Sequence, residues 1–331
     1  MSRNWWIPWL IFVALAIALV LAFPEVQRIF ILALSGRWQW VLASAAILLG
    51  HYIVDAWLFQ ASFDIVGVES RVYRLIPVVF ASLFANLAGV AVSGAIFVED
   101  AARRGQSAAR ATAGVLLELI FDYVTFLLFL LAGMSYLGVR GVLDAYQLAG
   151  LAALVAFILV LAGALILGLK RRSLLRRILE WLQGLVNRLA ARFGRPGLLP
   201  EGWARDNAAS FATAAVAALS LSERTPDAAG IGILFHLLEW LGAYALFPAF
   251  SQPIGPLAAL AGYAVGRTFW IIGITPQGIG VVEGTMALTY ISLGVPVTTA
   301  GAIALVFRGL DFWLPMLVGA FFLSRLRLLR R

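Results

Sequence analysis

The chain has no cysteine and only two histidines, His51 and His236. Disulfides and thiol chemistry are therefore excluded, as is a Cys/His metal cluster. Charge is also scarce, at 13% of residues against about 25% in soluble domains. So little charge cannot clothe a water-facing surface for 331 residues. No nucleotide-binding loop is present, and no nucleophile sits in a motif with a paired base. No catalytic residue, metal or cofactor is expected.

What the chain has instead is hydrocarbon. Hydrophobic residues make up 62% of it. Apolar runs near or above the roughly 18–20 residues that span a bilayer recur along its length. The expected class is an all-α polytopic membrane protein. Its net charge of +8 is concentrated in short loops, most densely at Lys170, Arg171, Arg172, Arg176 and Arg177. That placement fits the positive-inside rule and anionic headgroups, and argues against nucleic acid as a partner. The run 5–23 is too long for a signal-peptide core and lacks a small-residue cleavage site, so it reads as a first span. Residues 24–38 read as an interfacial amphipathic segment. Further spans are expected at 38–59, 111–132, 145–169, 228–250 and 300–323, with polar loops at 64–74 and 99–110. Segment 173–193 reads as an amphipathic surface helix. The Ala-rich segment 203–222 reads as a surface helix or a weakly buried one.

Two apolar stretches are broken in their middles. Residues 75–98 are interrupted at Asn86-Leu87-Ala88-Gly89, and 256–293 at Pro276-Gln277-Gly278-Ile279-Gly280. Backbone that leaves the helix at membrane depth is tolerated only inside protein or lining a wet cavity. Reading both as re-entrant hairpins leaves about six full spans. It also gathers most loop Arg and Lys on one side and puts both termini in the cytoplasm. The first hairpin then enters from inside and the second from outside. The halves match in order, roughly 185–190 residues apart. His51 and Asp55 answer His236 and Glu239. Gly105, Leu116 and Asp122 answer Gly294, Leu305 and Asp311. The expectation is one domain, 1–331, built as an inverted repeat of 38–132 and 228–323. The basic stretch 170–227 joins the halves, and the hairpin tips meet near the midplane.

Ionised groups at the bilayer centre cost roughly 2.5–3.5 kcal/mol each even on a lenient scale. Asp55, Glu118, Asp122, Glu239, Arg267, Glu283, Arg308 and Asp311 all fall in apolar segments. They must pair or line a shared polar cavity. Glu283 follows the second break, where it either orients a cationic headgroup, takes part in proton coupling, or caps the helix. The amides of Gly278, Ile279 and Gly280, after Pro276, form either a phosphate cradle or a plain kink. Arg308 and Asp311 are spaced to neutralise each other or to grip a phosphate together. Arg267 is a further headgroup contact or a snorkelling cation. His51, Asp55, Glu118, Asp122, His236 and Glu239 form a candidate proton relay or buried hydrogen-bonded pairs. Glu118 and Asp122 share a helix face and need a cation or a proton, and Arg308 is a candidate partner.

The run Pro276-Gln277-Gly278-Ile279-Gly280-Val281-Val282-Glu283, then Leu293-Gly294-Val295-Pro296, Arg308 and Trp313-Leu314-Pro315, carries a family resemblance. The chain resembles the lysylphosphatidylglycerol synthase transmembrane region, also called the flippase-like or UPF0104 family. The resemblance covers nearly the whole chain and is sharpest over 262–319. It implies a lipid-handling membrane domain in a bacterial inner membrane. The implied partners are membrane lipids: an anionic phospholipid, a hopanoid or a glycolipid. In the multiple-peptide-resistance proteins this domain moves aminoacylated phosphatidylglycerol and precedes a soluble aminoacyl transferase. With the chain ending at Arg331, that transferase is expected to be absent or a separate partner, and the chain is not expected to be an enzyme. The first hairpin departs from the family's Pro-Gly-rich tip, reading Asn86 to Gly94 as NLAGVAVSG.

Overall fold

A computed structural model describes residues 31–32, 34–192, 197, 199–219, 225–273 and 275–325. The expected span 5–23, most of the interfacial segment and the last basic residues lie outside these. Among the described residues the fold is all-α. Four long apolar helices meet the length and hydropathy needed to cross a membrane. They are α1 (Trp38–Ile65), α4 (Ala108–Val139), α8 (Thr225–Ala249) and the continuous rod Val297–Leu323, which begins with α11 (Val297–Arg308). Helix α5 (Ala145–Lys170) is 26 residues long and equally apolar by composition.

The two broken stretches fold as helical hairpins. The first has α2 (Val72–Ala85) and α3 (Val90–Arg103), joined by a 3-10 turn at Asn86–Ala88. The second has α9 (Pro256–Ile272) and α10 (Val281–Ser292), joined by a 3-10 turn at Pro276–Gly278. At 1.5 Å per residue the 14-residue arms of the first reach about 21 Å, short of the roughly 30 Å hydrocarbon core. The second hairpin's arms, 17 and 12 residues, reach about 26 and 18 Å. The loop expected at 64–74 is shorter than the polar residues suggest. α1 continues to Ile65 and α2 begins at Val72, whose amide is held by the Gln60 side chain at 2.7 Å.

Between the halves, α6 (Arg172–Arg192) is the expected amphipathic helix. Helix α7 (Trp203–Leu219) packs on α4, α5 and α6. Its buried residues Ala204, Ala208, Ser210 and Ala212 are small, which lets the backbones approach. The weakly buried alternative is therefore the observed one.

Helices α1 and α8 run antiparallel along each other. The Ser44 hydroxyl reaches the Gly242 carbonyl at 2.8 Å, while His51 reaches the Phe235 carbonyl at 3.2 Å. Each hairpin packs on a long helix of the other half: α2 on α12 (Leu314–Arg325), and α9 on α4. Gly319 makes the first contact possible, because the Phe80 carbonyl oxygen occupies the space a Cβ would need. Gly319→Ala is expected to lower stability by about 1–3 kcal/mol, the cost of overpacking. Gly301→Ala, with open space around it, serves as the neutral control. Thermal unfolding in detergent reads the difference.

Among the described residues, beside two smaller clusters, two large apolar cores form, one toward each end of the bundle. One joins Leu48, Phe126, Leu130, Leu246, Tyr263 and Tyr290. The other joins Phe59, Phe63, Leu75, Val79, Phe97 and Leu117. Along α4, Leu117 belongs to one core and Phe126 to the other. Glu118 and Asp122 lie between them, and the polar centre of the molecule is there.

Candidate functional site

A cavity of about 570 Å³ opens between the two cores. Helices α1, α4, α8 and α9, both hairpin tips and the Arg308–Phe312 stretch all contribute to its wall. Its charged lining is Asp55, Glu118, Asp122, Glu239, Arg267, Arg308 and Asp311, with His51 among them. The expectation that the buried charges share one polar space therefore holds for these residues.

Arg267 is the hub. One guanidinium nitrogen donates to both Glu239 oxygens at 3.0 and 2.9 Å, and another to both Asp122 oxygens at 2.9 and 3.1 Å. Its side chain is only 9% exposed, and Phe235 and Trp270 rings flank the guanidinium. It does not snorkel: a planar fork that satisfies two carboxylates at once has no reason to reach for water.

His236 completes this cluster. Its Nε2 faces the Asp122 carbonyl at 2.9 Å and the Asp122 carboxylate at 3.1 Å, both acceptors. Its Nδ1 lies 3.1 Å from the Tyr263 hydroxyl, whose single proton is donated to Glu239 at 2.9 Å. A doubly protonated ring satisfies all of these contacts, donating from both nitrogens. With His236 in that form, Arg267, His236, Asp122 and Glu239 make an electroneutral quartet.

Arg308 has a different role from the one its spacing suggests. It pairs with Glu283 at 3.0 Å and donates to the Gln277 carbonyl at 2.9 Å, with the Phe312 ring 4.5 Å from its guanidinium. It does not pair with Asp311. A π-helical turn at Gly309–Trp313 intervenes and rotates the i,i+3 relation out of register. Pro315 explains the turn, since its missing N–H leaves the Asp311 carbonyl without an i+4 donor. The Tyr52 hydroxyl takes that carbonyl instead. Nor is Arg308 the partner of Glu118 or Asp122.

Glu283 is both the cap and the ion-pair partner. It accepts from the Gly280 amide at 2.7 Å with one oxygen and from Arg308 with the other. The Gly278 amide donates to the Thr275 carbonyl at 2.9 Å. Two of the three amides expected to cradle a phosphate are thus engaged within the break itself. Gln277 holds the left-handed conformation at φ 57°, uncommon for a residue other than glycine. It is fixed there from both sides, by Arg308 on its carbonyl and by the other hairpin on its side chain. The Gln277 amide donates to the Asn86 carbonyl at 2.5 Å, and the Asn86 amide to Gln277 Oε1 at 3.4 Å. The tips touch through this reciprocal pair.

Three acids of the cavity remain outside these networks. Among the described residues, Asp55, Glu118 and Asp311 have no side-chain ion pair, and Asp311 Oδ1 is buried without a hydrogen bond. Asn86 Oδ1 and Arg267 Nε are likewise unsatisfied. Sequence reasoning missed Tyr52, Tyr263, Trp270 and the Gln277 side chain as cavity residues. Tyr263 had a signal, lying four residues before Arg267 on the same helix face. Among the described residues no group of three or more acids or histidines is arranged to hold a metal ion.

The family model for the lysylphosphatidylglycerol synthase transmembrane region matches residues 5–319. The chain belongs to that family. Two curated relatives, both UPF0104 membrane proteins of Methanothermobacter thermautotrophicus, are similar over shorter stretches. One is 34% identical over 94 residues, 28% of each chain. The other is 28% identical over 174 residues, 51% of this chain and 50% of that one. The matched stretches thus span at most half the length of these relatives. No solved structure matches. The family match is to a membrane region, in keeping with the multi-pass helical fold.

Proposed function

We propose that this protein moves a membrane lipid between leaflets, holding the headgroup in the central cavity while the two hairpin tips gate access to it. The cavity carries this reading. A space of about 570 Å³ lined by charged and aromatic side chains lies between the middles of long apolar helices. The contact between Asn86 and Gln277 lies in its wall.

The alternation of access rests on an inverted repeat of 38–132 and 228–323. Antiparallel packing of α1 on α8 supports it, because a two-fold axis in the membrane plane makes equivalent helices antiparallel. So does the crossed packing of each hairpin on the other half's long helix. With Arg267 and Arg308 both neutralised, the spare acceptors are Asp55, Glu118, Asp311 and Asn86. These suit a headgroup that presents ammonium or hydroxyl donors, as aminoacylated phospholipids and glycolipids do. The second tip, with Pro276, Gly278, Ile279, Gly280 and Glu283, reaches a lipid phosphate only when Arg308 leaves Glu283. The membrane is a prokaryotic cytoplasmic one, with both termini inside.

The test is lipid exchange by the purified chain in phosphatidylethanolamine–phosphatidylglycerol liposomes. These carry traces of labelled plain, aminoacylated or glycosylated lipid. The reading predicts that an impermeant quencher reaches the inner-leaflet pool of at least one of them. Complete protection of all three pools sinks it. A second reading, a lipid-presenting subunit of a lipid-modifying enzyme, is favoured by one observation: the matched family is named for a region of a synthase. A transferase that co-purifies and loses activity without this chain supports it.

A further inference from the structure

Counting charges around the cavity leaves a surplus. The quartet of Arg267, His236, Asp122 and Glu239 is neutral, and so is the Arg308–Glu283 pair. Asp55, Glu118 and Asp311 stand outside both. Glu118 is the most enclosed of the three at 6% exposed, lines the cavity, and has no hydrogen-bond or ion-pair partner among the described residues. Independently of the acids, Asn86 is 8% exposed and lines the same cavity with its Oδ1 unpartnered. Unpartnered acceptors thus belong to lining residues on two different elements.

The groups facing Glu118 do not supply a counter-charge. On its own helix, Asp122 is committed to Arg267 and His236. From α1 it faces Asp55, and it also feels Arg267, whose guanidinium is already shared between Asp122 and Glu239. Asp55 in turn feels Asp122, Glu239, Arg267 and His236. His51, one helical turn before Asp55, spends its Nδ1 on the Phe235 carbonyl. Across the cavity are Tyr52, Tyr263, Asp311 and Arg308, the last already paired with Glu283. A buried carboxylate with acids for neighbours and no free cation is costly. A bound cation removes that cost, and the smallest is a proton.

We infer that Glu118 is a proton-binding site, loaded at neutral pH and exchanging with the cavity through Asp55, and that lipid movement is coupled to its proton. The coupling clause rests on the lipid-transport reading above; the proton site does not. No bond other than O–H is made or broken. The proton passes from Glu118 by way of Asp55 to water in the cavity when a cationic headgroup takes its place, and returns by the same route when the headgroup departs.

Infrared spectroscopy of the wild-type chain in liposomes, exchanged into D₂O, reads the proton directly. The expected result is a carboxylic-acid C=O band at neutral pH that Glu118→Gln removes and Asp55→Asn shifts in its titration. If Glu118→Gln leaves the neutral-pH spectrum unchanged, Glu118 is a carboxylate and the proposal is overturned. If the band appears only when choline replaces Na⁺, the site belongs to Na⁺ and the proton assignment is overturned. In the same liposomes, an imposed pH gradient is expected to accelerate lipid exchange, an acceleration lost in Glu118→Gln. A band present with exchange indifferent to the gradient overturns the coupling. A band present with no labelled lipid moving leaves the proton site standing and removes the transport reading instead.

Discussion

Arg267→Met is expected to leave almost no folded protein. The guanidinium makes four hydrogen bonds to two buried carboxylates. Removing one partner of a buried pair costs about 3–5 kcal/mol, because it strands the other charge. Here two carboxylates lose their shared guanidinium and keep only His236 beside them, and the whole stability of a typical domain is only about 5–15 kcal/mol. Arg267→Lys is expected to fall between, since one ammonium cannot bridge two carboxylates with the fixed fork of an arginine. The control is the triple variant Arg267→Met, Asp122→Asn, Glu239→Gln, which removes both carboxylates together with the guanidinium and leaves His236 free to be neutral. It is expected to recover most of the monodisperse yield and thermal midpoint in detergent. If Arg267→Met alone is as stable as wild type, the electroneutral quartet is not what holds α4, α8 and α9 together.

Joining the hairpin tips is expected to stop lipid movement altogether. The chain has no cysteine of its own, so a pair introduced as Asn86→Cys and Gln277→Cys has no background. In the present structure the Gln277 side chain donates to the Asn86 main-chain carbonyl at 2.5 Å and accepts from the Asn86 side chain at 3.4 Å. A short thiol-reactive linker should therefore bridge them readily. The unlinked double variant lacks the tip contact and is expected to exchange labelled lipid at least as fast as wild type. Linking it should abolish exchange, and a reducible linker should allow recovery. Exchange at an unaltered rate in the linked form shows that the tips need not separate, and the gating role assigned to them fails.

The breaks were legible because glycine, proline and asparagine interrupt an apolar run in only a few ways. Both 3-10 turns fall within the positions the sequence marks, at Asn86–Ala88 and Pro276–Gly278. The acids of the cavity were legible because charge in hydrocarbon demands an explanation. Their partners were not. Arg308 lies three residues from Asp311 but bonds to Glu283, 25 positions away, and a π turn set by Pro315 decides between them. Arg267 reads as a snorkelling cation only until α4 and α8 deliver two carboxylates to it. Spacing along one helix reports which residues share a face; it carries no information on which neighbouring helix meets that face. The state of the second tip's amides was illegible for a related reason. Amides in a tight turn are donors, but at this turn Thr275 and Glu283 already accept from two of them.

The central claim is that a lipid headgroup occupies the cavity between Asp55, Glu118 and Asp311. The most direct test is an experimental structure of the purified chain in a lipid nanodisc containing aminoacylated and glycosylated lipids. The account predicts headgroup density against those carboxyls, with acyl chains leading out past the apolar wall. A cavity collapsed and dry, with the three acids paired to neighbouring side chains, contradicts it.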